Sequence, residues 1–286
     1  MPTVYAAIAT PLDTQGAFDP PAMTRLLDTL YTSGVDGVVP CGTTGEGPSF
    51  SVSERLAIIQ HCVAHRAGHG VIAGTGCQSL TDTISLTAAA GAAGVDACLV
   101  LPPFFYKQSG EHGVLDWYRA LCDALPIGSK LILYHIPPMT GVPITPTIID
   151  GLLATHPAYI AGIKDSGVDA AHTAMLTARY PQLAIYTGNA PILAQAIRDG
   201  AAGSILAIAN IVPTVIRTVT DDPSRTDAQA QLAAVDGFVR KVGAVATIKA
   251  ILAGAGTPVG APLPPQRPHP DAGTAYREFL ACTSQA

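Results

Sequence analysis

The chain has 286 residues, of which 48% are hydrophobic and only 13% are charged, a balance opposite to that of intrinsically disordered chains. With 16 Lys and Arg against 21 Asp and Glu, a formal net charge of -5 and no basic run, the sequence excludes a nucleic-acid-binding protein. No uninterrupted apolar stretch approaches the ~18 residues of a membrane-spanning helix, so no membrane partner is expected.

Eight short apolar segments alternate with helical segments along the first 222 residues. The strands are predicted at 4–10, 35–42, 70–76, 95–102, 130–137, 159–166, 183–190 and 202–210. Most lack polar–apolar alternation, which is typical of strands buried on both faces. The helices between them are predicted at 20–33, 52–66, 79–93, 110–124, 145–155, 169–179 and 191–199. Residues 1–222 are therefore predicted to form a (β/α)8 TIM barrel.

An open, doubly wound α/β sheet is the alternative architecture. It is disfavoured because no GxGxxG loop follows the first strand, where Pro11 stands instead. Residues 223–286 are predicted to form a helical extension that packs on the barrel, with helices at about 224–240 and 243–253, a Pro-rich stretch and a final helix. This extension is too short to hold a hydrophobic core of its own.

The composition and the N-terminal sequence also predict the assembly state, the location and the redox state of the cysteines. The small number of charges leaves part of the surface poorly solvated, so a homo-oligomer is expected. The N-terminus lacks the positively charged region of a secretion signal, which favours a cytoplasmic location. The six cysteines stand singly and are expected to be reduced thiols.

Lys164 is the strongest candidate for a catalytic group. In TIM barrels the functional side chains lie at the C-terminal ends of the strands, and Lys164 follows the apolar run 160–163 at such an end, whereas Lys249 belongs to the C-terminal helices. A buried lysine needs a partner or a lowered pKa, and a Schiff-base amine requires the lowered pKa. An ion pair with Asp165 is the alternative, but strand alternation directs Asp165 to the opposite face.

Polar groups at other strand ends complete this candidate site. Tyr134 ends the neighbouring strand, where a phenol beside a cation relays protons, although a packed aromatic side chain is the alternative interpretation. Thr43 and Thr44 follow the second strand in a Gly-rich turn whose amides and hydroxyls suit a carboxylate. His135 is expected to point away from the barrel interior.

No metal or nucleotide cofactor is predicted. His61, His65 and His69 recur every four residues, but no carboxylate or thiol joins them, and they lie at the barrel end opposite the candidate site.

Six motifs together carry a family resemblance. They are TPLD (10–13), GTTGE (42–46), YHIP (134–137), GIKDS (162–166), TGN (187–189) and GSILAIAN (203–210). Over nearly its whole length the chain resembles the dihydrodipicolinate synthase / N-acetylneuraminate lyase family of class I, Schiff-base pyruvate lyases and aldolases. The resemblance implies a homotetramer, built as a dimer of dimers.

The resemblance also implies roles for individual residues. Lys164 would form the Schiff base with pyruvate or another 2-oxo acid, and Tyr134 would relay protons. Thr43 and Thr44 would hold the carboxylate of the oxo acid, and Thr44 is counted among the catalytic residues. The remaining positions implied to contact the substrate are Ile205 through its backbone, Gly188 and Asn189.

Two departures from the family pattern favour one group of substrates. Synthases of the family carry an arginine five residues beyond the tyrosine of the YHIP-like motif, where this chain has Met139. They also place a tyrosine in the loop after strand 4, where this chain has Phe105 followed by Tyr106. Because a methionine cannot pair with a carboxylate, 4-hydroxy-tetrahydrodipicolinate synthase activity is disfavoured.

The predicted function is therefore reversible cleavage of a 2-oxo acid, such as a 2-keto-3-deoxy sugar acid, to pyruvate and an aldehyde. Met139 and Phe105 are the positions expected to contact the aldehyde part. Two further alternatives are an imine-forming dehydratase of a 2-keto-3-deoxy sugar acid and a non-catalytic barrel that binds a keto acid.

Overall fold

Eight parallel strands close into a barrel in chain order in the computed structural model, which describes residues 1–167 and 169–284. The predicted (β/α)8 barrel with C-terminal helices is confirmed. Residues 285 and 286 of the predicted extension, and residue 168 of the predicted barrel, lie outside the described residues.

The strands and helices alternate around the barrel. The strands are β1 (Thr3–Ala6), β2 (Gly37–Val38), β3 (Gly70–Gly74), β4 (Ala97–Val100), β5 (Leu131–His135), β6 (Ile160–Asp165), β7 (Ala184–Thr187) and β8 (Gly203–Leu206). The barrel helices are α1 (Pro20–Thr32), α2 (Val52–Ala64), α3 (Leu80–Ala93), α4 (Gly110–Ala124), α5 (Pro137–Thr140), α6 (Pro146–Thr155), α7 (Ala170–Arg179), α8 (Leu193–Arg198) and α9 (Pro213–Asp221). The extension contains α10 (Thr226–Val242), α11 (Ala244–Gly254) and α12 (Ala272–Ser284).

The strands are shorter than predicted, because their C-terminal residues leave the sheet to build loops. The extreme case is β2, predicted at 35–42 but limited to Gly37–Val38. The loop that follows has left-handed backbone at two non-glycine residues, Cys41 with φ 57° and Glu46 with φ 56°. A Cβ on Gly47 would overlap the carbonyl oxygen of Cys41, so this turn requires glycine.

Two helices have no counterpart among the predicted helix ranges, and both begin with proline. They are the single turn α5 and the eighth barrel helix α9. Proline suits the first helical turn, where its missing N–H is not needed. The α9 sequence PTVIRTVTD is dominated by β-branched residues, whose helix propensity is low, so packing on the barrel rather than local preference makes this segment helical.

The apolar core has two layers. Inward-facing side chains fill the barrel: Ala7, Val39, Ile72, Ala97, Leu99, Ile132, Tyr134 and Ile205. A larger cluster lies between the strands and the surrounding helices. The inner layer closes the bottom of the barrel and leaves the C-terminal strand ends to form the site.

The C-terminal extension is tied to the barrel by a buried ion pair. Lys249 on α11, predicted only to belong to the C-terminal helices, is 3% exposed, and its Nζ lies 2.7 Å from Oε1 of Glu46. The other Glu46 oxygen accepts a hydrogen bond from the backbone N–H of Leu263 at 2.6 Å. The loop after β2 is therefore held from behind by the extension.

Candidate active site

The register of two neighbouring strands brings Tyr134 and Lys164 together. Tyr134 on β5 is paired with Lys164 on β6, and the next residues, His135 and Asp165, are paired in turn. Because side chains alternate along a strand, the first pair points into the barrel and the second points outward. The predicted outward direction of Asp165 and His135 is confirmed by their contacts outside the barrel.

Lys164, Tyr134 and Thr43 are connected by hydrogen bonds across the floor of the site. Lys164 is 4% exposed, and its Nζ donates to the hydroxyl of Tyr134 at 3.2 Å while lying 4.3 Å from the ring centroid. The same hydroxyl lies 3.2 Å from Oγ1 of Thr43. The threonine that contacts Tyr134 is thus Thr43, whereas Thr44 was predicted to be the catalytic one.

The environment of Tyr134 makes its hydroxyl more acidic than usual. Burial alone raises the pKa of this phenol, but the nearby Lys164 cation and hydrogen bonds with Thr43, Lys164 and Ser166 outweigh burial, and the pKa falls below its ordinary value of 10.0. A phenol poised in this way exchanges its proton more readily near neutral pH.

A cavity of about 570 Å³ opens above Thr43, Tyr134 and Lys164. Its lining includes eight of the predicted site residues: Thr43, Thr44, Tyr134, Met139, Lys164, Gly188, Asn189 and Ile205. Phe105 is not part of the lining. It is 71% exposed on the loop before α4, with its ring 5.2 Å from that of Tyr106.

Ser166 belongs to the site, although it was not predicted as a candidate residue. It follows β6 and lines the cavity, and it is one of the groups that lower the pKa of Tyr134. A Cβ on Gly188 would overlap Oγ of Ser166, so glycine at this position leaves room for the serine. The side chain of Asn189 donates to the carbonyl of Gly167 and is thereby fixed at the rim. The signal was present in the quoted motif GIKDS, whose last letter is this serine.

One wall of the cavity comes from the C-terminal extension. Asp236, Val239 and Arg240 on α10 and Ala244 at the start of α11 all line it. These residues lie more than 70 positions after Lys164, on two helices without a recognisable motif. Strand-end reasoning could not find them, because it considers only barrel loops.

Comparison with known proteins assigns the chain to a family. Residues 1–277 match the model of the Dihydrodipicolinate synthetase family. The chain belongs to this family. The resemblance seen in the motifs is confirmed, and with it the prediction that the chain is a carbon–carbon lyase.

Curated relatives of the family cover most of the chain. An uncharacterized DapA-like lyase of Chloroflexus aurantiacus is 47% identical over 254 residues, 87% of this chain and 85% of that protein. A 4-hydroxy-tetrahydrodipicolinate synthase of Synechococcus sp. is 34% identical over 270 residues, 92% of this chain and 88% of that protein.

Solved structures share this architecture. YagE, a prophage protein from E. coli K12 solved in complex with pyruvate, superposes with a TM-score of 0.90 at 25% identity, covering 98% of both chains. CdNal from Clostridium difficile, solved in complex with mannosamine, also gives a TM-score of 0.90, at 21% identity and 98% coverage of both chains. The second likeness shows the common fold alone.

Behind the site of this family member, a polar network joins β5, β6 and α7. The carboxylate of Asp165 is fully buried and accepts from Oγ1 of Thr173 at 2.7 Å, Nδ1 of His172 at 3.0 Å and the N–H of Gly167 at 2.9 Å. Burial raises the pKa of Asp165, but these hydrogen bonds outweigh it, and the pKa lies below the usual 3.8. The strand ends that carry Lys164 and Tyr134 are braced from outside.

His135, Asp165 and His172 also lie close enough together to consider a metal. Their ligand atoms all lie within 4.8 Å of one another. Nδ1 of His135 accepts a hydrogen bond from the N–H of Ile144 at 3.0 Å, so Nε2 of this ring carries the proton and has no lone pair for a metal. The three residues therefore fit a hydrogen-bonded brace and not a metal site.

The histidines singled out in the sequence make ring contacts. His61 stacks on His65 with ring centroids 4.1 Å apart, and His69 stacks on Tyr31 at 4.0 Å.

Along the part of the chain that the structure describes, no helix has both the length and the apolar character needed to cross a bilayer.

Proposed function

We propose that the chain is a class I, Schiff-base lyase or aldolase that reversibly cleaves a 2-oxo acid to pyruvate and an aldehyde, with 2-keto-3-deoxy sugar acids as the substrate class. The observation that carries this proposal is the contact between Lys164 Nζ and the Tyr134 hydroxyl at 3.2 Å, on the floor of an otherwise largely apolar cavity. An amine and a proton carrier are the two groups that imine formation requires.

The reaction follows from these two groups. Lys164 Nζ attacks the C2 carbonyl of the oxo acid to form a carbinolamine, and Tyr134 gives its proton to the departing hydroxyl, which leaves as water. The phenolate then takes the proton of the C4 hydroxyl as the C3–C4 bond breaks, so that an aldehyde departs and an enamine remains. Tyr134 returns this proton to C3 of the enamine, and a water molecule hydrolyses the resulting imine, which releases pyruvate and restores the amine of Lys164.

The remaining groups of the site suit the carboxylate of the oxo acid. Thr43 and Thr44 lie on the turn after β2, where hydroxyls and backbone amides bind an oxyanion without a fixed positive charge. Since Thr43 contacts Tyr134, we assign it to proton relay as well and assign Thr44 to the carboxylate. The backbone of Ile205, with Gly188 and Asn189, completes the lining around the oxo acid.

4-Hydroxy-tetrahydrodipicolinate synthase activity is the second candidate, because the relative of Synechococcus sp. carries that name at 34% identity. Against it stands Met139, whose uncharged side chain lines the cavity at the position where synthases of the family carry an arginine. Product analysis separates the proposed lyase from the dehydratase alternative, because the lyase releases pyruvate and an aldehyde and the dehydratase releases an unbroken carbon chain.

Borohydride trapping tests the proposal. The protein is incubated with pyruvate, reduced and digested, and a pyruvyl adduct is expected on the peptide that contains Lys164. Lys164→Ala should abolish the adduct, whereas Lys130→Ala should keep it, because Lys130 lies at the opposite barrel end with its amine on the Ala158 carbonyl. Absence of an adduct on Lys164, with pyruvate binding shown calorimetrically, would contradict Schiff-base chemistry and favour the non-catalytic binding barrel.

We also propose a homotetramer, built as a dimer of dimers, in the cytoplasm. Phe105 and Tyr106 support an assembly because both aromatic side chains are about 70% exposed on one loop, and such groups are typical of contact surfaces. Phe105 does not line the cavity of its own chain, so we propose that it contacts the substrate in the site of a neighbouring subunit. Light scattering should give four chain masses, and a monomeric mass would contradict the proposal.

A further inference from the structure

The α10 wall of the cavity carries one pair of oppositely charged side chains. Nε of Arg240 donates to Oδ2 of Asp236 at 2.6 Å, one helical turn away. The side chain of Asp236 is 11% exposed and that of Arg240 is 59% exposed. The acid therefore lies inside the cavity wall and the guanidinium reaches toward its mouth.

The pair has hydrogen-bonding capacity that the protein does not use. Among the described residues, the second oxygen of Asp236 accepts no hydrogen bond, and the two terminal nitrogens of Arg240 donate none. A guanidinium whose charge is balanced by a carboxylate attracts an oxyanion weakly, because the ligand also meets the negative charge of Asp236. Adjacent donors and an acceptor instead match hydroxyl groups, each of which both donates and accepts.

Apart from this pair and Lys164, the described residues that line the cavity carry no charge. Ile136, Pro138 and Met139 are apolar and line the same cavity. A volume of about 570 Å³ is enough for a six-carbon oxo acid, since small-molecule pockets start at roughly 300 Å³. One end of such a substrate would lie at Lys164, and its hydroxylated end would extend toward α10.

We propose that Asp236 and Arg240 bind the hydroxyl groups of the aldehyde part of the substrate and make the enzyme select polyhydroxylated over unsubstituted aldehydes. This inference rests on the proposed function and extends it to a specificity site in the C-terminal extension. Asp236 accepts from a hydroxyl, and Arg240 donates to the same or the adjacent hydroxyl.

Three aldehydes of equal carbon number test the proposal with pyruvate as the second substrate: glyceraldehyde, propanal and glyceraldehyde 3-phosphate. The measured quantity is the ratio of kcat/KM for glyceraldehyde to kcat/KM for propanal. This ratio should fall about 10-fold or more in Asp236→Asn and in Arg240→Met, because each variant removes a charged hydrogen-bond partner of the hydroxyl groups. Arg240→Lys, which keeps the charge and a donor, should recover part of the ratio.

A second acid–arginine pair, at the N-terminal end of the same helix, provides the control. Arg225 contacts Asp227 at 2.6 Å, and neither residue lines the cavity, so Arg225→Met and Asp227→Asn should leave the ratio unchanged. Equal losses for glyceraldehyde and propanal in the Asp236 and Arg240 variants would overturn the proposal, as would losses confined to the phosphorylated aldehyde, which would indicate an oxyanion site.

The pyruvate adduct on Lys164 is measured in every variant. If the adduct forms but no hydroxylated aldehyde is consumed by the unaltered protein, the hydroxyl site is wrong while the Schiff-base lysine stands. If no adduct forms in the unaltered protein, the proposed function itself fails, and the two failures are thereby distinguished.

Discussion

The amine of Lys249 lies 2.7 Å from the carboxylate of Glu46, and neither side chain is more than 2% exposed. Burial lowers the pKa of Lys249, and the contact with Glu46 offsets part of that effect. Glu46 follows the Thr43–Thr44 pair by two residues, in left-handed backbone. The ion pair thus fixes the candidate carboxylate-binding turn against the C-terminal extension.

Removing one member of this pair should be strongly destabilising. Lys249→Met leaves the Glu46 charge buried without a partner, and the free energy of unfolding should fall by about 3–5 kcal/mol. The double variant Lys249→Met/Glu46→Gln carries neither charge and should recover most of that loss. Urea unfolding followed by circular dichroism measures the single variants Lys249→Met and Glu46→Gln and the double variant. A double variant whose loss equals the sum of the two single losses would contradict this account.

Replacing Tyr134 should slow turnover without emptying the site. Tyr134→Phe removes the proton carrier while keeping the ring beside Lys164, so kcat should fall about 10²–10⁴-fold. Because the pKa of this phenol is lowered, the protonated form needed for carbinolamine dehydration is lost at a pH below 10. The pH profile of kcat should therefore decline on its alkaline side, and this decline should be absent from Tyr134→Phe. A decline that persists in the variant would assign it to another group.

The two adjacent threonines should separate into different kinetic effects. Thr43→Val removes the hydroxyl that lies 3.2 Å from Tyr134 and should chiefly lower kcat. Thr44→Val should chiefly raise KM for pyruvate, about 10-fold, because it removes a hydrogen-bond donor to a charged carboxylate. Thr43→Ser should restore most of kcat. Identical effects of both Val variants on both parameters would refute the division of roles.

The sequence was sufficient to predict the barrel and the positions of Lys164 and Tyr134, because each of these residues lies at the end of a strand that its own local pattern predicts. The apolar run ending at Lys164 and the neighbouring Tyr134 needed only strand alternation to be placed on one face. The contact between Thr43 and Tyr134 depends on how the turn after β2 is folded, which single-residue patterns do not specify.

Long-range contacts were beyond sequence reasoning. Lys249 reaches Glu46 across about 200 residues, and Arg240 reaches the cavity from a helix outside the barrel. Local periodicity predicts which face of a helix is buried, but not which loop or cavity that face meets.

Acid stability should depend on Asp165. Its carboxylate is buried and its pKa lies below 3.8, because hydrogen bonds from His172, Thr173 and Gly167 favour the ionised form over the effect of burial. An acid whose pKa is lower in the folded state contributes stability that is fully present above its unfolded pKa, about 3.9, and that is lost as the pH falls through the folded value. Asp165→Asn should therefore lower the free energy of unfolding at pH 7 by about 1–3 kcal/mol and make stability less dependent on pH below about 4.

Asp150→Asn is the matched control, because that carboxylate is half-exposed and pairs with Arg179 at the surface. Urea unfolding at pH 7 and pH 3.5 measures both variants, and an unchanged pH dependence in Asp165→Asn would show that the brace behind Lys164 does not depend on the charge.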